Sequence, residues 1–372
     1  MGIDPTADSL HVGHLIQLVL MTRLQRVGHI PICLFGGGTA LIGDPSGKND
    51  MRKMLTKEEL DYNISNLKQQ VADFMHINEL KIVNNADWLC DLNYIDFLRE
   101  IGVHFSVNRM LAAECYKQRL EEGLTFFELN YMIMQSYDFF VLHRDYNCIL
   151  QIGGDDQWSN ILFGADLIRR KTGTEAYAMT TKLFTTFDGV KMGKTAGGAL
   201  WLNANKVPVY DFFQYWRNVN DADVIKCFNC LTLKDVEDIS DYEQKLSENI
   251  NEIKEILAFE ITSLVHGAEE AAKALKAVRA VFTGTLDSNI ENIPVVYVKN
   301  SLIKNDVIRI VELLTASGLA QSNSDAIRLI NQGGICANGI KISDQNHIFS
   351  LDDLKMGVIL QKGKKRIVKC MI

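Results

Sequence analysis

The sequence predicts an α/β fold with a parallel β-sheet, followed by an all-α domain and a small α+β domain. Up to about residue 204, short apolar runs alternate with longer segments of helical periodicity, a pattern typical of a parallel sheet wrapped by helices. From about residue 208 the strand signal fades, and the chain ends in short strands punctuated by glycine. We therefore expect domains at 1–204, 205–285 and 300–372, with a linker at 286–299.

Each half of this prediction rests on specific segments. A buried strand is predicted at 30–35, further strands at 81–83 and 148–152, and helices at 56–75, 94–101, 125–142 and 157–171. Further helices are predicted at 208–217, 221–229, 233–247, 250–265 and 267–282, and the last domain begins with helix-like 306–317 and 323–331. Ligands of parallel-sheet folds bind at the carboxyl ends of the strands, so the residues that follow the strands are the first candidates for a site.

The charge is unevenly distributed along the chain. Residues 300–372 carry ten Lys/Arg and six Asp/Glu, a balance of +4, whereas the whole chain carries −7. A basic module on an acidic body is typical of an appendage that contacts RNA, although chance clustering of surface lysines gives the same pattern.

Several classes of protein are disfavoured by composition. No apolar run reaches the roughly 18 residues of a membrane helix, and the start MGIDPTADSL does not have the pattern of a signal peptide. The eight cysteines are scattered, with one CxxC pair at Cys227 and Cys230. This favours thiols in a reducing cytoplasm over a structural zinc site, and we expect no protein-bound metal.

The first candidate site is His11-Val-Gly-His14, directly before an apolar helix. A helix N-terminus offers unpaired N–H groups and the positive end of a dipole, which suits phosphate. Two imidazoles one turn apart add donors, and Gly13 lets a flat base approach the backbone. The motif alone is also compatible with an ordinary polar helix start, but its context, DPTADSLHVGH, is far more specific.

A glycine-rich loop follows the strand at 30–35. The segment LIGDPSGK at 41–48 has the composition of a P-loop, but its glycine spacing is one residue short and Asn49 replaces the Ser or Thr that would bind magnesium. What remains is one carboxylate, Asp44, which could hold an ammonium group, and two cations, Lys48 and Arg52, which could meet pyrophosphate.

The helix at 125–142 carries a polar stripe on an apolar surface. Tyr131, Gln135 and Asp138 lie at i, i+4 and i+7, within an arc of about 60°. Such a stripe is costly to bury unless a polar group pairs with it, so it indicates a ligand-facing surface. The alternative is an exposed stripe on a surface helix.

Two later segments complete the set. In QIGGDDQ at 151–157, Asp155 and Asp156 could bind ribose hydroxyls or a metal, or could equally cap the next helix. In DGVKMGKT at 188–195, a hairpin signal is followed by Lys191 and Lys194 in a glycine-containing loop. That loop suits a mobile clamp on a triphosphate, and a solvated surface loop is the alternative.

Together these segments resemble the class I aminoacyl-tRNA synthetases, and among them the bacterial-type tyrosyl-tRNA synthetases. HVGH matches the HIGH signature and KMGKT the KMSKS signature, while GDPSGK, the Tyr131/Gln135/Asp138 helix and QIGGDDQW look like the tyrosine enzyme. The resemblance covers essentially the whole chain. It implies a Rossmann-like catalytic domain, a helical anticodon-side domain and a small RNA-binding domain.

The resemblance also implies roles and partners. Tyrosine would be bound by Asp44, Tyr131, Gln135, Asp138 and Gln157, with Asp138 at the phenol. ATP would be bound by Asp4, His11, Gly13, His14, Gly154, Asp156 and Lys194. Catalysis would fall to His11, His14, Lys191, Lys194, Thr6, Lys48 and Arg52. ATP would arrive with Mg²⁺, and tRNA(Tyr), L-tyrosine and ATP would be the partners of a cytoplasmic homodimer.

Two departures from the family and two rivals bear on this interpretation. The family usually has some thirty more residues before Met1, including a tyrosine that shares the phenol, so the chain looks truncated. Gln17 and Asp155 replace smaller residues of some relatives, which could alter nucleotide affinity. The rivals are tryptophanyl-tRNA synthetase and an RNA-binding or splicing protein on a synthetase scaffold. Asp138 and the basic tail favour tyrosine over tryptophan, and the intact histidines and lysines argue against lost catalysis.

Overall fold

The computed structural model describes residues 1–44, 55–75, 80–195, 198–283, 293–363 and 366–372. Its Cα positions divide into two compact units, Met1–Trp201 and Leu202–Ile372.

The first unit is an alternation of strands and helices. Its strands are β1 (Gly2–Ile3), β2 (Ile32–Phe35), β3 (Lys81–Asn84), β4 (Leu150–Gly154), β5 (Tyr177–Thr181), β6 (Lys194–Thr195) and β7 (Gly198–Ala199). Its helices are α1 (Val12–Arg26), α2 (Lys57–Met75), α3 (Ala86–Leu89), α4 (Tyr94–Glu100), α5 (Val107–Leu111), α6 (Glu114–Glu122), α7 (Phe126–Tyr146) and α8 (Trp158–Thr172). The predicted strands and helices of this half are confirmed, with small differences at their ends.

Strands β1, β2 and β3 of this unit form a parallel sheet. They pair in the order β1–β2–β3, with Gly2 opposite Leu34 and Ile32 opposite Lys81. Strands β4 and β5 form a second parallel pair. All four residues of β2 are buried, as expected of a parallel strand that is covered on both faces. The Rossmann-like fold expected for this half is therefore confirmed.

Helix α7 begins and ends at clear sequence signals. Thr125 and Glu128 form a reciprocal capping box at its start, and Asn147 ends it in the left-handed conformation, with φ of 53°. The helix packs closely on α8 at Gly164, where an added Cβ would lie 3.0 Å from Cδ1 of Phe139. This close packing fixes the polar stripe of α7 relative to β4.

The second unit begins with helices and ends in a small sheet. Its helices are α9 (Val209–Arg217), α10 (Val224–Leu231), α11 (Val236–Lys245), α12 (Ile250–His266), α13 (Ala268–Thr283), α14 (Ile310–Ala316), α15 (Asn323–Asn331) and α16 (Leu351–Met356). Its strands are β8 (Val295–Tyr297), β9 (Val307–Arg309), β10 (Ile335–Ala337), β11 (Ile340–Lys341), β12 (Ile348–Ser350), β13 (Val358–Lys362) and β14 (Arg366–Met371). The order β11–β10–β13–β14–β8 describes a mixed sheet, because β8 and β14 are parallel.

Two details of the second unit differ from the sequence prediction. Within the predicted helix 306–317, residues Val307–Arg309 form strand β9, and the helix starts at Ile310. Strand β8 lies within the predicted linker 286–299 and pairs with β14. Both strands are three residues long, too short for an alternating pattern to show in the sequence. None of the helices in the described ranges is long and apolar enough to span a membrane.

Candidate active site

The start of α1 is capped by histidines. Nδ1 of His11 accepts the N–H of Gly13 at 3.0 Å, and Nδ1 of His14 accepts the N–H of His11 at 3.2 Å. A Cβ at Gly13 would lie 2.8 Å from Cε1 of His11, so this arrangement requires glycine there. Because both Nδ1 atoms accept hydrogen bonds, a neutral ring carries its proton on Nε2.

Both imidazoles are neutral at pH 7. Burial lowers the pKa of His11. Burial and then the neighbouring His11 lower the pKa of His14 to about 3, because a charged ring is poorly solvated there. The two rings, with centroids 4.1 Å apart, are thus uncharged Nε2–H donors at the positive end of the α1 dipole.

The segment KMGKT lies against the start of α1. Gly193 has a φ of 83°, and a Cβ there would lie 3.1 Å from Cβ of Val12. The N–H of Leu200 donates to the carbonyl of Gly193 at 2.7 Å, and the N–H of Val12 donates to the carbonyl of Leu200 at 3.2 Å. The two predicted signature segments are therefore neighbours in the fold.

The two lysines of this segment, Lys191 and Lys194, follow a turn at Gly189. Gly189 has a φ of 84° in the turn that precedes Lys191, as the hairpin signal predicts. Lys191 is exposed, and Lys194 lies in β6 opposite Ala199. The predicted cations Lys48 and Arg52 lie outside the described residues.

Asp138 is a buried carboxylate held by two donors. Its residue is 2% exposed. The indole N–H of Trp88 donates to Oδ1 at 2.7 Å, and the amide of Asn85 donates to Oδ2 at 2.9 Å. Burial raises the pKa of Asp138 to about 7 and Asp4 adds to this, although the Asn85 and Trp88 hydrogen bonds oppose the shift. The polar stripe of α7 is thus buried rather than exposed.

A chain of hydrogen bonds connects Asp138 with Asp4. The amide of Asn85 also donates to Oγ1 of Thr39 at 3.0 Å. The Thr39 hydroxyl donates to Oδ1 of Asp4 at 2.8 Å, and the Tyr131 hydroxyl donates to Oδ2 of Asp4 at 2.9 Å. Tyr131 therefore contacts Asp4, a residue that the resemblance assigns to ATP, and each Asp4 oxygen receives a hydroxyl. We call these five residues, with Trp88, the Asp4–Asp138 network.

A second group of acceptors lies between α7, β4 and the loop after β2. The amide of Gln157 donates to Oδ2 of the buried Asp44 at 2.7 Å. The amide of Gln135 donates to Oε1 of Gln151 at 3.2 Å. Oε1 of Gln135 is buried and has no hydrogen-bond partner among the described residues. Such an acceptor is costly unless a ligand supplies the donor.

The end of β4 presents Gly154 and two carboxylates. A Cβ at Gly154 would lie 2.6 Å from Oδ1 of Asp156, so glycine leaves room for that carboxylate. Asp155 accepts the Thr180 hydroxyl at 2.8 Å, and Asp156 accepts the Gln157 amide at 3.0 Å. No side chain caps the start of α8, so the capping interpretation of the two aspartates is not supported.

The remaining predicted residue, Thr6, is exposed, and its N–H donates to the Asp4 carbonyl at 2.8 Å. Sequence reasoning missed Thr39, Asn85 and Trp88, which support Asp4 and Asp138. A signal was present, because NADW follows β3 directly and polar residues at the carboxyl end of a parallel strand commonly face a ligand.

Comparison with known proteins settles the family. Residues 1–283 match the family model "tRNA synthetases class I (W and Y)", and residues 286–369 match the "Tyrosine--tRNA ligase SYY-like C-terminal domain". A tyrosine–tRNA ligase of Acetivibrio thermocellus is 53% identical over 368 residues, covering 98% of this chain and 90% of that protein. The chain belongs to the tyrosine–tRNA ligases. A ligase of this family from Clostridium botulinum is 52% identical over 375 residues, covering 100% of this chain and 91% of that protein.

Solved structures of the family share the fold. A C-terminally truncated mitochondrial tyrosyl-tRNA synthetase of Coccidioides posadasii is 28% identical, with a TM-score of 0.65 over 74% of this chain and 82% of that one. The corresponding enzyme of Aspergillus nidulans is 25% identical, with a TM-score of 0.66 over 76% and 84% of the two chains. A tryptophanyl-tRNA synthetase of Encephalitozoon cuniculi, 12% identical with a TM-score of 0.55 over 74% and 78%, shows the fold alone.

Proposed function

We propose that the chain activates L-tyrosine with ATP, forming tyrosyl-adenylate and pyrophosphate, and then transfers tyrosine to the 3′ end of tRNA(Tyr). Membership of the tyrosine–tRNA ligases supports the reaction. The observation that carries the choice of amino acid is Asp138, buried on α7 with one donor on each oxygen. Each oxygen keeps a second lone pair, so the ionised carboxylate can accept a phenol hydroxyl. Phenylalanine has no such donor.

The other polar side chains of this pocket would bind the ammonium and carboxylate groups of tyrosine. We assign its ammonium group to Asp44, Tyr131 and Gln135, and its carboxylate end to Gln157. The unpartnered Oε1 of Gln135 supports this, because an ammonium group supplies the donor that the oxygen lacks. Tyr131 also donates to Asp4, which adds a second negative charge near the ammonium group.

ATP belongs between the start of α1 and the end of β4. We assign its phosphates to His11, His14 and Thr6, its base to Gly13, and its ribose to Gly154 and Asp156. We also include Asp4 in the nucleotide site. The neutral Nε2–H groups support this assignment, because they donate to phosphate oxygens without carrying a proton that the reaction must move.

The first chemical step needs no protein nucleophile. The carboxylate of tyrosine attacks the α-phosphorus of ATP, and the bond to the bridging oxygen of pyrophosphate breaks. The protein contributes alignment and donors directed at the charge that grows on the phosphates. We assign this role to Lys191, Lys194, Lys48 and Arg52. In the second step a ribose hydroxyl of tRNA attacks the carbonyl of the adenylate, and AMP leaves.

We propose that Mg²⁺ enters with ATP, held by its phosphates. Among the residues that the structure describes, no group of three His, Cys, Asp or Glu side chains could hold a metal ion. The ion would neutralise part of the negative charge that develops on the leaving pyrophosphate.

We propose three domains, with the boundaries expected from the sequence except that the small domain includes β8. Its basic surface is assigned to tRNA. We propose a cytoplasmic location, since none of the eight cysteines, all of them in the described ranges, forms a disulfide.

We also propose a homodimer that forms through an apolar surface on the first unit. Phe126 and Phe127 are 67% and 40% exposed at the start of α7, and Leu120, Val107 and Val103 are exposed on the segments just before it. Exposed apolar surface of this kind is typical of an interface. Phe126→Asp should give a monomer in sedimentation, whereas a dimer of unchanged stability would contradict the assignment.

The proposed reaction is tested by ATP–pyrophosphate exchange with tyrosine, phenylalanine and tryptophan. We expect exchange with tyrosine alone, and strong loss in Asp138→Asn, whose NH₂ group would face one of the two donors that now bond the carboxylate. Asp145→Asn, at the exposed end of the same helix, is the matched control and should keep wild-type exchange. Exchange with tryptophan instead would assign the rival substrate, and no exchange with any amino acid would indicate an RNA-binding protein without catalysis.

A further inference from the structure

Gln157, which directly precedes α8, forms hydrogen bonds with three polar side chains. Its Nε2 donates to Oδ2 of Asp44 at 2.7 Å and to Oδ2 of Asp156 at 3.0 Å. Its Oε1 accepts a hydrogen bond from Nδ2 of Asn160, in the first turn of α8, at 3.3 Å. The stem of the side chain is confined as well, because a Cβ at Gly153 would lie 3.0 Å from Cβ of Gln157. The amide nitrogen of Gln157 therefore faces two carboxylates, and its oxygen faces Asn160.

The three contacts of Gln157 differ in whether a substrate would compete for them. Asp44 and Asp156 are assigned to the ammonium group of tyrosine and to the ribose of ATP, so each would exchange its bond to Gln157 for a bond to substrate. Asn160 is only 1% exposed, and its burial keeps substrates away from it. Asn160 is thus the contact that Gln157 can retain when both substrates are bound.

Asn160 is itself oriented by a contact from α6. The thiol of Cys115 donates to Oδ1 of Asn160 at 3.8 Å, a weak bond of the kind that thiols form. Burial raises the pKa of Cys115 to about 11, so the thiol keeps the proton that it donates. Because Oδ1 of Asn160 is turned towards Cys115, its Nδ2 is turned towards Gln157. The sequence of contacts from Cys115 through Asn160 determines which end of the Gln157 amide faces the pocket.

We propose that Asn160 is a positioning residue for the carboxylate of tyrosine: it keeps Nε2 of Gln157 directed at the substrate after the two aspartates turn to their ligands. The inference rests on the proposed function, in which Gln157 receives the carboxylate end of tyrosine. Without Asn160, the amide of Gln157 can turn and present Oε1, an acceptor that repels a carboxylate. The loss should fall on the carboxylate, since Asp44 and Asp138 are assigned to the ammonium and phenol groups.

The test compares tyrosine with tyramine, which has the same phenol and ammonium groups but no carboxylate. Dissociation constants are measured by calorimetry on the full chain, and Asn160→Leu removes the donor while keeping a side chain of similar size. We expect tyrosine to bind about tenfold more weakly, near the lower limit for the loss of one hydrogen bond to a charged group. Tyramine should bind within about twofold of its wild-type affinity. A residue that merely stabilised α8 would weaken both ligands alike and lower the melting temperature.

Two further variants test the same sequence of contacts. Cys115→Ala removes the thiol that orients Asn160, and it should weaken tyrosine by about two- to threefold while leaving tyramine unchanged. If Asn160→Leu does not fold, Cys115→Ala decides by the same comparison of the two ligands. In a Gln157→Met background, Asn160→Leu should weaken tyrosine no further, because both substitutions act on one carboxylate contact.

Asn229→Leu is the matched control. Its Nδ2 donates to the Ile225 carbonyl of the same helix, and the residue is exposed, so both dissociation constants should stay at wild-type values. Unchanged tyrosine affinity in Asn160→Leu would overturn the proposal, as would equal weakening of tyrosine and tyramine or a further loss in the Gln157→Met background. A wild-type protein that binds neither ligand would instead refute the proposed function.

Discussion

Trp88→Phe is the substitution that tests the proposed tyrosine pocket most directly. The indole N–H donates to Oδ1 of Asp138 at 2.7 Å, and phenylalanine keeps an aromatic ring while removing that donor. The hydrogen bond favours the ionised carboxylate, which is the form that can accept the phenol of tyrosine. Its loss should therefore raise the pKa of Asp138 above its value of about 7.

The size of the effect follows from the strength of that bond. A hydrogen bond to a charged group contributes about 1.5–3 kcal/mol, and 1.36 kcal/mol corresponds to about one pKa unit. We expect the pKa of Asp138 to rise to about 8–9. At pH 7 the ionised share then falls from about one half to between about a tenth and a hundredth, so tyrosine should bind about 5- to 50-fold more weakly. By pH 9 most of the loss should be recovered.

The raised pKa of Asp138 also makes the stability of the folded chain depend on pH. The pKa of Asp138 in the folded chain lies above its ordinary value of 3.8. Between these values the folded state binds more protons than the unfolded state, so stability from this group is present below about pH 4 and lost as pH rises through about 7. Trp88→Phe should extend that loss to higher pH.

The assay is the dissociation constant for tyrosine, measured by calorimetry between pH 6 and pH 9 for wild type and variant. Trp216→Phe is the matched control, because the N–H of this buried indole has no partner among the described residues and Trp216 lies in the other unit. A Trp88→Phe variant with wild-type affinity at pH 7, or with a loss that does not diminish towards pH 9, would refute the reasoning.

Three further outcomes are expected. His11→Gln should activate tyrosine faster than His11→Asn. Glutamine can replace the Nε2–H donor, whereas asparagine can replace only Nδ1 as the acceptor of the Gly13 N–H; equal rates in single-turnover experiments would contradict a His11 ring protonated on Nε2. Lys191→Ala should slow adenylate formation by about 10- to 100-fold with the dissociation constant for tyrosine unchanged, and a parallel loss of affinity would remove Lys191 from the transition state. Deleting 300–372 should abolish tRNA charging and spare pyrophosphate exchange, and in the full chain tRNA binding should weaken steeply with salt; charging that survives the deletion would show that the small domain is dispensable.

Local signals explain what the sequence predicted well. Strand β2 is a continuous apolar run, and α7 carries its own start and stop signals in the Thr125–Glu128 capping box and Asn147. The three-residue strand β9 has no such signal. It follows Asn305 and Asp306, both with positive φ, and it is stabilised by pairing with β12, which is distant in the sequence.

The sequence predicted the candidate residues of α7 as a group, but it did not predict which residues they contact. The i, i+4, i+7 spacing identified Tyr131, Gln135 and Asp138 as one surface. It could not show that Tyr131 donates to Asp4, because that bond joins residues 127 positions apart. The support of Asp138 by Asn85 was missed for the same reason, since it depends on where β3 ends relative to α7.

The Asp4–Asp138 network makes the two ends of the proposed amino-acid pocket electrostatically dependent on each other. The negative charge of Asp4 contributes to the raised pKa of Asp138. On the proposed placement, the ammonium group of tyrosine arrives beside Tyr131 and Asp4 and cancels part of that charge. Ionisation of Asp138 then becomes easier, so a ligand that carries its amine strengthens its own phenol contact. A phenol analogue without the amine, such as 4-hydroxyphenylpropionate, should lose more binding free energy than the amine contacts alone provide, because its phenol contact with Asp138 is weakened as well. The pocket should therefore favour the zwitterion of tyrosine.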